Sequence, residues 1–165
     1  MRGQTREFVA TFFRDHPCTG KLLDVGCMNV NGSIRGDVPI GIEYHGVDMR
    51  EGNEVDEVLN GHELSKYLGE EGYDVVTCFD TFEHDDAFWL TMEEMKKVCK
   101  KGGWILIGAP SRRCPLHLHP NDYWRFMGPS FELLLKGTEN VFIHIEHPDS
   151  NDSIEDEIYG YGQKT

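Results

Sequence analysis

The spacing of hydrophobic positions changes along the chain, and these changes predict a series of alternating strands and helices. Aromatic and aliphatic residues recur at helical spacing within 5–16, which predicts an amphipathic opening helix. The short apolar run at 21–26 predicts a buried strand, because a parallel strand is covered on both faces. The clearest helix is predicted within 85–103, where Asp85 or Asp86 caps the start and two glycines end it.

The remaining pattern completes a sheet with helices between most of its strands. Further strands are predicted at 43–48, 54–59, 73–80, 104–110, 141–147 and 156–164, with short helices at 62–68 and 129–135. Strands that alternate with helices indicate an α/β fold with a mostly parallel sheet. The last two strands have no clear crossover helix between them, so we expect an antiparallel hairpin at the C-terminal edge. Neither a linker nor a repeat interrupts the pattern, which predicts a single domain over 1–165.

Composition narrows the classes of partner and compartment. The chain has 29 acidic residues against 16 Lys plus Arg, a formal net charge of −13, which argues against a nucleic-acid partner. No apolar stretch has the length of a signal peptide or a membrane span, so we expect no membrane association. The five cysteines form no C-x-x-C pair and are odd in number, which favours a reducing, cytoplasmic location.

Candidate chemistry gathers where the predicted strands end. In open α/β sheets ligands bind outside the carboxyl ends of the strands. Gly26 ends the first strand and permits a sharp turn, and Asp48 ends the second, where a carboxylate can accept hydrogen bonds from both hydroxyls of a ribose. Met28 replaces the second glycine of a dinucleotide-binding pattern, which speaks against a pyrophosphate. These positions predict a cofactor with a ribose and no diphosphate.

Four stretches, in their order and spacing, carry a family resemblance. They are LLDVGCMNVNGS, YHGVDMREGNEVDEVLNGHEL, YDVVTCFDTFEHDDAFWLTMEEMKKVCKKGGWILIGAPS and HLHPNDYWRFMGPSFELLL. Over nearly its full length the chain resembles a class I S-adenosylmethionine-dependent methyltransferase of the small, type-11-like kind. The resemblance implies a Rossmann-like three-layer sandwich, S-adenosylmethionine as cofactor and transfer of its methyl group.

The resemblance also implies roles for individual residues at the cofactor. Those expected to hold the methionine part are Asp24, Gly26, Cys27, Asp80 and Thr81, with Asp24 binding the ammonium directly or through water. Those expected at the nucleoside are Asp48 on the ribose, Met49 packed on the adenine, and Gly61 and His62 beside it.

The acceptor is expected at the polar and aromatic segment 114–126. Since the donor methyl is already activated, the protein mainly aligns a nucleophile, and a base is needed only for a neutral acceptor such as a hydroxyl. Residues that can position or deprotonate it are His84, His117, His119 and Asp122, and Tyr123, Trp124 and Phe126 can wall its pocket. The alternative is that the aromatics only pack this loop, with the histidines merely exposed, and that Glu83 and His84 cap the next helix or orient the loop.

The same histidines raise the question of a metal. His117 and His119, together with His84 or Cys114, have donor types that bind metals, but H-x-H alone is a weak signal, so we expect none. The leading hypothesis is a methyltransferase acting on a small molecule such as a saccharide or another metabolite. The alternatives are an inactive S-adenosylmethionine-binding module that acts as a partner or regulator, and a nicotinamide-dependent oxidoreductase.

Overall fold

The computed structural model describes residues 3–118, 121–145 and 157–165, and these residues form a seven-stranded sheet with helices on both faces. The strands are β1 (Gly20–Val25), β2 (Ile42–Asp48), β3 (Glu57–Val58), β4 (Tyr73–Phe79), β5 (Cys99–Pro110), β6 (Thr138–Ile145) and β7 (Glu157–Lys164). The helices are α1 (Gly3–Asp15), α2 (Leu64–Leu68), α3 (Phe88–Val98) and α4 (Gly128–Leu134).

The strands follow the order β3-β2-β1-β4-β5-β7-β6. The first five in this order pair in parallel, and β7 pairs antiparallel with both β5 and β6. The prediction of a mostly parallel sheet with an antiparallel C-terminal hairpin is therefore confirmed. Within the described ranges, no helix is both long and apolar enough to cross a membrane.

Alternate strand residues point into two separate cores, which makes three layers. Leu22 and Leu106 face α1, whose Val9, Phe12 and Phe13 are buried against the sheet. Their chain neighbours point to the opposite face, where α2, α3 and α4 pack; that core includes Leu23, Val76, Ile105, Ile107, Leu64, Met92, Met95 and Phe131. This period of two is what a strand buried on both sides requires.

Three element boundaries differ from the prediction. The main helix ends at Val98 instead of continuing to 103, and β5 begins at Cys99 with the two glycines inside it. The third strand shrinks to Glu57–Val58 at the edge of the sheet. Neither predicted cap occupies the start of α3, whose flanking residue is Ala87; the Asp85 carboxylate instead accepts from the Ala87 N–H at 2.9 Å.

The connection between β1 and β2 has no α-helix. Residues 26–41 form a loop with one 3₁₀ turn, Arg35–Asp37, and the buried Ile34 fixes it against the α1 core. The guanidinium of Arg35 lies 4.3 Å from the centre of the Tyr44 ring. One layer of the sandwich is therefore thin over β1 and β2, and side-chain contacts hold the loop there.

Candidate functional site

The turn after β1 is the backbone element on which the candidate cofactor site is built. Gly26 has φ +77°, a conformation that costs glycine little and other residues more. A Cβ at Gly26 would lie 2.1 Å from Oγ1 of Thr81, the second residue after the end of β4. The Gly26 and Cys27 N–H groups both point back to the Val47 carbonyl, at 2.8 and 3.1 Å. This turn therefore lies between the ends of β2 and β4 and allows their loops to approach closely.

Asp24 is a buried acid directly beneath this turn. Its Oδ2 accepts from the Tyr44 hydroxyl at 2.5 Å and its Oδ1 from the Thr77 hydroxyl at 2.7 Å, so it joins β1 to both neighbouring strands. Burial raises the pKa of Asp24 to about 6, and the two hydroxyl bonds offset that only in part. Its assignment to the cofactor ammonium stays a prediction, and any such contact must use lone pairs that Tyr44 and Thr77 leave free.

Asp48 closes β2 with its carboxylate at the loop surface. Oδ1 accepts from the Arg50 N–H at 3.0 Å and Oδ2 from the Met28 N–H at 3.3 Å. Each carboxylate oxygen carries two lone pairs, so each can still accept one hydroxyl. This arrangement fits the diol of a ribose. Met49, next along, is exposed and its side chain is available to cover an adenine.

The loop after β3 is tied to the loop after β4. The His62 ring Nε2 lies 2.8 Å from Oδ1 of Asp85, and the other oxygen of Asp85 accepts from the Thr91 hydroxyl at 2.6 Å. A Cβ at Gly61 would lie 2.8 Å from the same Thr91 hydroxyl, so this position requires a small residue. The two residues expected beside the adenine are thus held by α3 and the turn before it.

The end of β4 carries the remaining residues expected at the methionine part. Asp80 has φ +49°, an uncommon conformation for a residue other than glycine, and its N–H bonds the Gly108 carbonyl at 3.1 Å. Thr81 donates its hydroxyl to the Phe79 carbonyl at 3.0 Å. Locally strained backbone of this kind is common at functional sites, because neighbouring structure must hold it in place.

The segment after β5 folds back over the end of β4. The Tyr123 N–H donates to the Glu83 carbonyl at 2.7 Å, and the Trp124 ring N–H donates to the Asp85 carbonyl at 2.9 Å. Phe126 is buried and pairs with Phe88 and Phe131. The loop predicted to carry the acceptor is therefore adjacent to the loops predicted to carry the cofactor, and Asp85 contacts both sides.

Asp122 anchors this segment. Its fully buried side chain forms a two-point ion pair with Arg125, and its Oδ2 accepts from the His117 N–H at 2.8 Å. The bond to Arg125 lowers the pKa of Asp122 to about 2. Arg125 also donates to the carbonyls of Cys114 and Pro115, at 3.0 and 2.8 Å. A carboxylate so paired is a weak base, and these contacts hold the loop in shape.

The two described histidines of the predicted acceptor site converge on one acid. Glu83 is completely buried, and its Oε1 lies 3.3 Å from Nε2 of His117 and 3.7 Å from Nε2 of His84. The hydrogen bond to Glu83 raises the pKa of His117. Glu83 therefore does not cap the following helix, and the other half of that alternative, in which Glu83 and His84 orient the loop, stays a prediction. His119, the other predicted catalytic residue, lies outside the described residues.

Four residues that shape the site were not identified as such from the sequence. Tyr44 and Thr77 bind Asp24, Arg125 holds the acceptor loop, and Asp85 connects the two sides although it was predicted only as a helix cap. Strand register gives a signal for one of them, since Thr77 of β4 pairs directly with Asp24 of β1. Arg125 contacts the carbonyl groups of Cys114 and Pro115 as well as the Asp122 carboxylate, and no residue pattern reveals the carbonyl contacts.

Known proteins with a similar sequence pattern or a similar fold include methyltransferases. Residues 1–138 match the family described as a methyltransferase domain. No curated protein matches the sequence closely enough to count as a relative. A SAM-dependent methyltransferase from Archaeoglobus fulgidus has a similar structure, with a TM-score of 0.67 at 19% identity over 96% of this chain and 94% of its own.

Two further solved structures share the fold. A phosphoethanolamine N-methyltransferase 2 from Haemonchus contortus, solved with phosphomonomethylethanolamine and S-adenosylhomocysteine, has a TM-score of 0.72 at 12% identity. It is matched over 98% of this chain, which spans 52% of that protein. TehB from Haemophilus influenzae gives 0.69 at 16% identity, over 96% of this chain and 62% of its own. At these identities the likeness is one of fold.

Proposed function

Because this chain belongs to the methyltransferase-domain family, as the match over residues 1–138 establishes, we infer that it methylates a small-molecule acceptor held at the loop after β5. It is an S-adenosylmethionine-dependent methyltransferase. The acceptor class is the proposal, with a saccharide or a comparable polar metabolite as the leading candidate. The observation that carries it is the meeting of the β1, β3 and β4 loops with the described residues 111–118 and 121–126 at one edge of the sheet.

The residues on the donor side fit a sulfonium nucleoside. The absence of a Cβ at Gly26 lets the Thr81 side chain lie close to the turn after β1, and Asp48 has unused lone pairs on both oxygens. When bound, S-adenosylmethionine supplies an activated methyl group. Asp48 binds the ribose hydroxyls, Met49 covers the adenine, and the turn at Gly26 accepts the methionine part.

The acceptor side supplies positioning and a place for a proton. Alignment of the acceptor atom with the methyl group is the main requirement of this reaction. Arg125 and Asp122 hold the loop in shape. Tyr123 and Trp124 are partly exposed, so their rings can form the walls of an acceptor pocket. His117 and His84 can accept a proton from a hydroxyl of the acceptor. The net charge of −13 supports a small acceptor over a nucleic acid.

None of the five cysteines, all of which the structure describes, forms a disulfide, and this supports a reducing, cytoplasmic compartment as part of the same proposal.

Two measurements test the function separately. Calorimetric titration with S-adenosylhomocysteine should show one site per chain, and labelled methyl from S-adenosylmethionine should appear in low-molecular-weight fractions of an extract incubated with the protein. Binding without any transfer would favour an inactive binding module. Label found only in protein or nucleic acid would overturn the small-molecule acceptor.

A further inference from the structure

Glu83 is a buried carboxylate whose bonding is incomplete. The residue is 0% exposed, and its Oε2 has no hydrogen-bond partner among the residues that the structure describes. An unpaired, buried carboxylate oxygen is costly, and native proteins rarely leave one without a partner or an ion. The other oxygen, Oε1, faces two imidazole rings. Glu83 is therefore a buried, incompletely bonded carboxylate, and Oε1 is the oxygen that it places beside the two rings.

Backbone carbonyls hold the Nδ1 side of both rings. Nδ1 of His84 lies 2.5 Å from the Asn121 carbonyl, and Nδ1 of His117 lies 3.3 Å from the Pro115 carbonyl. Since a carbonyl only accepts, Nδ1 of each ring carries a proton, and a ring that gives up its Nε2 proton to bind a metal presents its lone pair there. An N–H held by a carbonyl on the far side of the ring is the usual arrangement for a metal-binding histidine.

The spacing of the three donors suits a metal ion. Oε1 of Glu83 lies 3.3 Å from Nε2 of His117 and 3.7 Å from Nε2 of His84. Ligands about 2.0–2.1 Å from a tetrahedral Zn²⁺ are about 3.3 Å from one another. One donor atom from each residue lies within 4.8 Å of the other two. Small movements of the two rings would complete the geometry.

We propose that Glu83, His84 and His117 form a binding site for one divalent transition-metal ion such as Zn²⁺. Two imidazoles and one carboxylate are a donor set that suits Zn²⁺ and its neighbours in the first transition row better than Mg²⁺. Three protein ligands leave at least one coordination position for water or another oxygen. The partly exposed His84 and His117 lie on the side from which an ion can enter, while Glu83 lies at the bottom.

The site also joins two segments that are distant in the chain. Glu83 and His84 belong to the 3₁₀ turn Phe82–His84 after β4, and His117 belongs to the loop after β5. This site goes beyond the proposed function and does not depend on it, and while an ion is bound at Nε2 of His84 and His117, neither ring accepts a proton from the acceptor. It also revises the expectation from the sequence, in which the metal candidates were His117 and His119 with His84 or Cys114, and Glu83 was not among them.

Calorimetry on the full chain, after treatment with a chelator, tests the proposal without cofactor or acceptor. Titration with ZnCl₂ alone should show one strong site, and MgCl₂ should bind far more weakly. The variants Glu83→Gln and His117→Gln should each lose more affinity than the roughly 10- to 100-fold that removal of an outer partner costs. Co²⁺ in the wild-type protein should give visible absorption bands that both variants lack.

His45→Gln is the matched control. His45 also faces a carboxylate, with Nε2 3.4 Å from Glu57, and bonds the Tyr73 hydroxyl, but it lies outside the cluster. This variant should bind Zn²⁺ as the wild type does. Circular dichroism reports whether Glu83→Gln folds. If it does not fold, the Zn²⁺ affinity of His117→Gln decides the question, because His117 is more exposed and its replacement disturbs the fold less. Absence of a strong Zn²⁺ site in the wild type, or unchanged affinity in a folded cluster variant, overturns the proposal.

Discussion

Asp24 and Tyr44 share a hydrogen bond of 2.5 Å between neighbouring strands, and the acid at its centre is almost completely removed from solvent. Burial raises the pKa of Asp24 to about 6 from an ordinary value of 3.8. Between these two values the folded protein holds a proton on Asp24 that the unfolded chain has released. The contribution of Asp24 to stability therefore falls as the pH rises through this window.

Asp24→Asn should remove this dependence. The free energy of unfolding of the variant, minus that of the wild type, should increase by on the order of 2–3 kcal/mol between pH 4 and pH 7. Urea denaturation of both proteins at the two pH values measures it. The difference cancels the contributions of other titrating groups, so an equal offset at both pH values would contradict the raised pKa.

Asp48→Ala should weaken binding of S-adenosylhomocysteine by on the order of 1–3 kcal/mol, the usual cost of losing a charged hydrogen-bond acceptor. Titration calorimetry measures the change. Asp37→Ala is the control, because that acid pairs with Arg6 on the α1 side of the sheet. An unchanged affinity in Asp48→Ala would remove Asp48 from the cofactor site.

Gly26→Ala should impair both folding and cofactor binding. The new methyl group would lie 2.1 Å from the Thr81 hydroxyl, at a backbone angle of +77°. Gly41→Ala separates the two effects, because Gly41 has φ +103° and no atom within 4 Å of its Cβ position. Gly41→Ala should cost roughly 1–2 kcal/mol of stability from strain alone and leave binding intact. If both variants bind the cofactor equally, the approach of Thr81 to Gly26 has no part in the site.

Arg125→Gln should loosen the loop after β5 while sparing the cofactor site. The loop loses charge-assisted bonds to Asp122 and to the carbonyls of Cys114 and Pro115, each worth about 1.5–3 kcal/mol. Tryptic cleavage after the exposed Arg112 and Arg113 should then become at least about tenfold faster. Arg14→Gln, which breaks an exposed pair, should leave the rate unchanged.

The sheet was predictable from the sequence, because burial on two faces leaves short apolar runs bounded by turns. The boundaries of the helices were harder to predict from the sequence. The pattern through Gly102 and Gly103 predicted a helix, yet pairing of Cys99 with Tyr73 starts β5 earlier and ends α3 at Val98. Long-range strand pairing overrides local propensity there, and single-chain periodicity does not report it.

Some residues of the candidate site could also be predicted from the sequence, and others could not. The end of a strand is a local feature, so Gly26 and Asp48 could be placed at the carboxyl edge from their own neighbours. The cluster of Glu83, His84 and His117 depends on a loop that folds back across β4, and so do the contacts of Asp85 with His62 and Trp124. Such contacts join residues far apart in the chain and leave no spacing to recognise.

The loop that connects β1 and β2 without an α-helix offers a position where an insertion can be accommodated. The loop ends at Gly41, beside the amino end of β2, and Ile40 next to it is fully exposed. Parallel strands place that end on the opposite rim of the sheet from Gly26, Asp48 and the histidines. An extra segment inserted at Ile40 would thus extend the protein at the rim opposite the candidate site and leave the residues of that site in place.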